Sequence, residues 1–421
     1  MEPQKISFLS TIRTLNKNQR AAVIAEPLWA VPYYLFLPFA SIYMAAVGLS
    51  DAQIGFVVSL GLALQVIWSL LSGAIIDKYG RRPTMLAFTI LSWTIPCLLW
   101  AAAQNYWYFV IAIFFNSMWR VTGNCFSCII VEDGDNAVLV RVYAIFGVIG
   151  LLAGFLSPAA GLAIEGTGLI SAMRVIYLAA LFLMAAKALL LFFRSRESGV
   201  GLRRREESKG HSLLSLALGG WPEFKAAIRT PRVLLCVIFL ALSSCFNTVQ
   251  ATFFPLLATG AYGISDAMYS MLPFLKSAVM LLVYLFIAPR IRLSSVRKPL
   301  FLALIVHAAG LIVLLLGLNI AGGALWAAFF AAACEAFAFA ILTPLGESLM
   351  AVNIEDAQRA RINSLITAFV LLLSVPAGWT AGRLSAADRA LPFALNLLLL
   401  AAEIVTAFFI ARTQKENVTT I

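Results

Sequence analysis

The stretch Gly73-Ala74-Ile75-Ile76-Asp77-Lys78-Tyr79-Gly80-Arg81-Arg82-Pro83 places four charges within residues 77–82. Apolar runs at 52–76 and 84–103 flank it. Each run is about the ~20 residues that a helix needs to cross a hydrocarbon core ~30 Å thick. The stretch therefore reads as a tight polar turn at a membrane surface, with Gly80 supplying the bend. The rest of the chain agrees: 62% of residues are hydrophobic and 12% are charged, against about a quarter charged in a soluble domain. That excludes a soluble enzyme, a disordered chain and a coiled coil. Two His and six scattered Cys argue against a metal cluster or a disulfide scaffold.

Twelve spans follow, roughly 27–47, 52–76, 84–103, 107–130, 142–162, 173–193, 233–258, 268–288, 299–318, 324–350, 362–382 and 390–410. They are continuously apolar, so helices are expected rather than alternating barrel strands. Of 31 Lys and Arg, 25 lie in the tails and loops on one side, three on the other (Arg174, Arg383, Arg389), and three inside spans (Arg120, Lys187, Lys276). This bias places both termini in the cytoplasm, in the plasma (cytoplasmic) membrane. The net charge of +11 is then a topology signal, with no nucleic-acid partner expected. Residues 1–20 read as a polar tail without a cleavable signal peptide.

The chain repeats itself. Gly48-Leu49-Ser50-Asp51-Ala52 is echoed by Gly263-Ile264-Ser265-Asp266-Ala267, and Arg81-Arg82-Pro83 by Arg297-Lys298-Pro299. Glu132-Asp133 before Arg141 is echoed by Glu355-Asp356 before Arg361, and Ala185-Ala186-Lys187 by Ala401-Ala402-Glu403. Two six-span bundles, 21–193 and 233–411, are expected, joined by a basic linker at 194–232 and ending in a tail at 412–421. Residues 211–228 of the linker suit a short amphipathic helix on the membrane surface, broken at Gly219–Pro222.

The turn after span 2 resembles the G-x-x-x-D-R/K-x-G-R-R/K signature of the major facilitator superfamily (MFS), through Gly73, Asp77, Lys78, Gly80, Arg81 and Arg82. The resemblance implies an all-α membrane protein of twelve helices in two pseudo-symmetric bundles. It implies secondary active transport by alternating access, with Asp77 closing a cytoplasmic gate against the start of span 11 near Arg361–Ser364. Glu132 and Arg141 would complete a charge cluster with Arg81. In the second copy Arg292 and Ser295 replace Asp77 and Gly80, so the gate is expected to be asymmetric. Arg120-Val121-Thr122-Gly123 and the Gly150–Gly161 segment are similar to motifs of proton-coupled exporters, with altered spacing.

Charges inside spans narrow the site. Each costs ~2.5–3.5 kcal/mol at the bilayer centre unless it faces the interior. Arg120, with Asn116 and Asn124 on neighbouring turns, Lys276 and Glu335 are too deep to reach water easily, and are assigned to substrate or proton coupling. A structural Arg120 bonded to helix carbonyls stays open, as does an outward-reaching Lys276. Glu335 either exchanges a proton or neutralises Lys276 or Arg120. Glu347 is either a coupling acid or a gate residue. Glu26 either begins span 1 with Pro27 or lies submerged at the inner cavity. Lys187 and Glu403 sit near helix ends and read as snorkelling or anchoring groups, and His307 reads as packed. Tyr33, Tyr34, Asn247 and Gln250 would line the cavity, where aromatic walls and amides suit an amphipathic organic solute. Cys125 and Cys128 read as packing residues. No cofactor or metal is expected; a proton gradient would supply the work.

The reading is thus a proton-coupled exporter of a small organic solute, working as a monomer. The alternatives are a proton-linked importer of a sugar or organic acid and a non-transporting receptor or assembly protein on the same scaffold. No enzyme constellation is visible.

Overall fold

The computed structural model describes residues 15–418 except 133, 135, 220, 292–295, 318–322 and 353–358. The described residues form helices and no strand. Eleven of the helical segments are long and apolar enough to cross a membrane: Lys17–Ala46, Asp51–Tyr79, Arg81–Ala101, Arg141–Thr167, Leu169–Arg194, Pro231–Ala261, Asp266–Arg290, Arg297–Gly317, Ala324–Met350, Leu365–Ala387 and Leu391–Arg412. The twelfth, span 4, is not one rod. It consists of Tyr106–Asn116 and Trp119–Val131, with a turn at Ser117 and Met118. Large apolar side chains such as Trp326, Leu398, Phe182 and Leu162 point outward, as a lipid-facing surface requires.

Span 1 begins earlier than its apolar run. Asn16 caps a helix at Lys17, and Gln19 bonds back to the Asn16 amide, so the capping box draws polar residues into the helix. Span 3 carries one wide turn, Ile90–Thr94. Its Ser92 carbonyl is taken by Asn116 Nδ2 at 2.9 Å, at the break in span 4. Wide turns of this kind leave carbonyls for side chains to satisfy.

The linker is helical, its interruption at Gly219 falls inside the expected break, and its packing on the bundles was not expected. It forms three short helices, Gly199–Glu207, Leu213–Leu218 and Trp221–Ile228. Leu213–Leu218 packs on span 2, and Trp221–Ile228 packs on spans 7 and 11, with Phe224 buried beside Phe369. Its apolar side chains meet the protein's own helices as well as the surface expected for them. The linker therefore straps the two halves at the end that carries the Gly73–Pro83 turn.

The opposite end, called the far end below, is closed by direct contact. A Cβ on Gly55 would lie 2.4 Å from the Gly378 carbonyl and 2.7 Å from Gly382 Cα, so only glycine lets spans 2 and 11 cross this closely. Ser59 Oγ donates to the Val375 carbonyl at 2.6 Å and accepts from the Trp379 amide at 2.6 Å. Beyond these, Asp51 accepts from Ser385 Oγ at 2.6 Å and from Arg389 Nε at 3.2 Å. Arg389 also reaches the Leu256 carbonyl at 3.2 Å. Gly161 seats Ser270 and Ala267, joining spans 5 and 8.

Candidate functional site

Between the halves lies a cavity of about 340 Å³. Its wall is aromatic: Trp29, Tyr33, Trp93, Trp100, Trp119 and Tyr177, with Asn116 among them and Thr252 contributed by the second half. The rings brace one another, Trp29 stacking on Tyr33 at 4.5 Å between centroids and Trp93 meeting both edge-on. Such a wall is rigid and accepts flat apolar groups.

Two charged groups stand at mid-span. Arg120 lies over the ring of Trp119 at 4.1 Å, and its Nε donates to Gln65 Oε1 at 3.0 Å. No carboxylate of a described residue lies within 4.0 Å of it. Its charge is held by an amide and a ring face, which leaves donors for an anionic group. In the second half, Lys276 Nζ pairs with Glu335 Oε1 at 2.8 Å. Gln250 Nε2 donates to Glu335 Oε2 at 2.8 Å, and Asn396 Nδ2 donates to Gln250 Oε1 at 3.3 Å. Glu335 is thus fully partnered, as a carboxylate inside a membrane must be.

A second ion pair stands apart from these. Lys187 Nζ bonds Glu26 Oε2 at 2.8 Å and lies against the rings of Phe126 at 4.5 Å and Trp29 at 5.3 Å. Lys187 therefore does not snorkel. The fold puts Glu26 opposite it on span 1, inside the continuous helical segment Lys17–Ala46, and pairing replaces water for both. Glu403 does not snorkel either: it is 2% exposed and accepts from Ser243 Oγ. It lines a second cavity of about 240 Å³ within the second half, with Asn247, His307 and Glu347.

Other expected residues fall elsewhere. Asn124 Nδ2 bonds Ser72 Oγ at 2.7 Å, between spans 4 and 2. Tyr34 lies against Gly150 and Gly154 of span 5, outside the aromatic wall. Asn247 faces the second cavity instead of the one between the halves.

At the turn that opened the sequence reading, Arg81 is buried between Asp77 at 3.1 Å and Glu132 at 2.7 Å. Arg82 donates to the Phe192 carbonyl at 2.6 Å. Gly80 has φ +91°, a backbone that side chains resist. Glu197 of the linker accepts from the amides of Arg81 at 2.7 Å and Arg82 at 3.2 Å, capping the helix start with a negative charge. Ser198 Oγ bonds Glu132. One expectation fails here. Arg141 is exposed and pairs with no described acid, because it sits on the outer side of span 5. A Cβ on Gly73 would meet no atom of a described side chain or helix within 4 Å. The partner expected for Asp77, near Arg361–Ser364, and the counterparts Arg292 and Ser295 lie outside the described residues and side chains.

Gln65, Asn396, Glu197 and Asp51 were not assigned from sequence. Asp51 did carry a signal, since it recurs as Asp266 in the repeat and faces the side that has only three basic residues. Gln65 and Asn396 carry none beyond being amides in apolar runs.

Comparison with known proteins follows this geometry. A family model described as the Major Facilitator Superfamily matches residues 30–375. The nitrate/nitrite transporter NrtP of Picosynechococcus sp. is 35% identical over 100 residues, which is 24% of this chain and 18% of that protein. This chain thus matches less than a fifth of that relative's length. The inward open structure of the xylose transporter XylE from E. coli superposes with a TM-score of 0.67 at 15% identity, covering 93% of this chain and 94% of that one. The human organic anion transporter MFSD10 does so at 0.64 and 18% identity, covering 94% and 99%. The structural likenesses show the fold.

Proposed function

The chain belongs to the Major Facilitator Superfamily of membrane transporters, and from that premise we propose that it moves a small amphipathic organic solute by alternating access, driven by protons and directed outward. The observation that carries this reading is the aromatic cavity between the halves, with Arg120 beside it, over the ring of the lining residue Trp119. The rings hold the apolar part of the solute, and the guanidinium takes a polar or anionic end. The end with the Gly73–Pro83 turn faces the cytoplasm, so the contacts at Asp51, Ser59 and Gly55 close the outer side. Outward opening breaks them and brings the motif-bearing ends together. Two bundles rocking about a site between repeats is the movement such duplicated folds permit.

The direction of flow rests on the similarity of Arg120–Gly123 and Gly150–Gly161 to exporter motifs. One charge crossing ~100 mV yields ~2.3 kcal/mol, enough for roughly 50-fold accumulation without ATP. The test is purified protein in liposomes, a solute panel and an imposed pH difference. A solute is expected to move against its gradient in wild type, and Arg120→Ala or Glu335→Gln to abolish that coupling. Uncoupled variants that still concentrate solute would contradict the assignment.

A further inference from the structure

The second half contains a site that the transport reading leaves unused. We propose that Glu403, a buried residue lining the 240 Å³ cavity, is a proton-binding carboxyl, and that Glu347, the accessible acid of the same cavity, passes the proton to and from the aqueous phase at the motif end. The inference deepens the proton-coupled reading above and rests on it for its role in transport.

Glu403 is 2% exposed, and among the described residues its only hydrogen-bond donor is Ser243 Oγ. An ionised carboxylate offers about four acceptor sites. One hydroxyl leaves the negative charge far from compensated, and a buried charge in that position is neutralised rather than left bare. No Lys or Arg of a described residue lies within 4.0 Å of it. The repeat sharpens the point. Lys187 stands at the equivalent position in the first half, where its partner is Glu26. The same scaffold therefore holds an ion pair in one half and an acid with a hydroxyl in the other.

His307 supplies an independent observation. It is 7% exposed, lines the same cavity, and its Nδ1 has no hydrogen-bond partner. A buried ring nitrogen without a partner, on a residue lining a cavity whose other ionisable groups are Glu347 and Glu403, marks a place where a proton can lodge. The elements packed on Glu403 add little else. Span 7 presents Ser243, Ser244 and Asn247, with Cys236, Cys245 and, at its first turn, Arg232 as its ionisable groups, and span 11 has no ionisable residue from 365 to 382. Glu347 is exposed at the protein surface and Glu403 is buried, so one cavity joins an accessible acid to an enclosed one. In the step itself, one O–H bond forms on Glu403 as one breaks on Glu347 or on hydronium from that aqueous phase. Release reverses it.

The test is an infrared pH titration of the purified full chain in lipid nanodiscs. Wild type is expected to show a protonated-carboxyl carbonyl band that titrates. Glu403→Gln should remove that band, and Ser243→Ala should keep it but move it to higher frequency, since a hydrogen bond to the acid is lost. Thermal melts report folding; if Glu403→Gln does not fold, the Ser243→Ala shift carries the test. A band unchanged in a folded Glu403→Gln, or unmoved in Ser243→Ala, overturns the proposal. So does a rise in Tm when sodium chloride replaces choline chloride, seen in wild type and lost in Glu403→Gln, which would make the cavity a metal-cation site. The spectra require neither solute nor gradient. Wild-type liposomes without gradient-driven flux would therefore sink proton-coupled transport separately.

Discussion

Lys187 and Glu403 occupy matching positions in the two halves, yet their surroundings differ. Lys187 is neutralised by Glu26, whereas Glu403 has a hydroxyl. At mid-span the asymmetry reverses. The second half pairs Lys276 with Glu335, while Arg120 of the first half has an amide and a ring face. Duplication has thus preserved helix positions and redistributed charge. Each half contains at least one ion pair, and each also holds one ionisable group with no charged partner among the described residues, Arg120 in the first and Glu403 in the second.

The comparison is broken most forcefully at the closed pair. Glu26→Gln leaves Lys187 buried without an anion and is expected to cost about 3–5 kcal/mol in denaturant unfolding. The double change Glu26→Gln with Lys187→Met should recover most of that. If the single variant is as stable as wild type, the pair is not what neutralises Lys187. Next, Arg120→Ala removes the open cation. Solute affinity in a binding assay is expected to fall ten- to a hundredfold, about 1.4–2.8 kcal/mol, with unfolding nearly unchanged. A large loss of stability instead would make Arg120 structural.

The far end offers a smaller perturbation. Asp51→Asn weakens the bonds from Ser385 and Arg389, each about 1.5–3 kcal/mol when one partner is charged. A cysteine placed at Ala267, under Gly161 of span 5, should then react several-fold faster with an impermeant maleimide added from that side. Unchanged labelling would show that the glycine crossings alone hold the end shut. The smallest effect belongs to Arg141→Ala. An exposed group with no described acid partner should change stability by less than about 0.5 kcal/mol.

The helices and their duplication were legible because membrane spans announce themselves through uninterrupted apolar length and charged turns. The break at Ser117 and the wide turn at Ile90–Thr94 were not, since both arise where spans 3 and 4 exchange the Asn116–Ser92 bond. Depth along a helix was readable from distance to its end, which singled out Arg120, Lys276 and Glu335. Azimuth was not. Lys187 and Glu403 lie near helix ends, yet they point inward because span 1 and span 7 bring Glu26 and Ser243 to them from far along the chain. Polar partners such as Gln65 and Asn396 become visible only once helices are packed.

The central claim is that two bundles exchange closure between the two ends. Double electron–electron resonance can read this with spin labels at the exposed positions Ile24 and Phe408 near the motif end, and in a second sample at Leu162 and Met268 near the far end. Lowering the pH or adding a transported solute should shorten one distance distribution as the other lengthens. Distributions that stay fixed, or that lengthen together, would contradict alternating access in this protein.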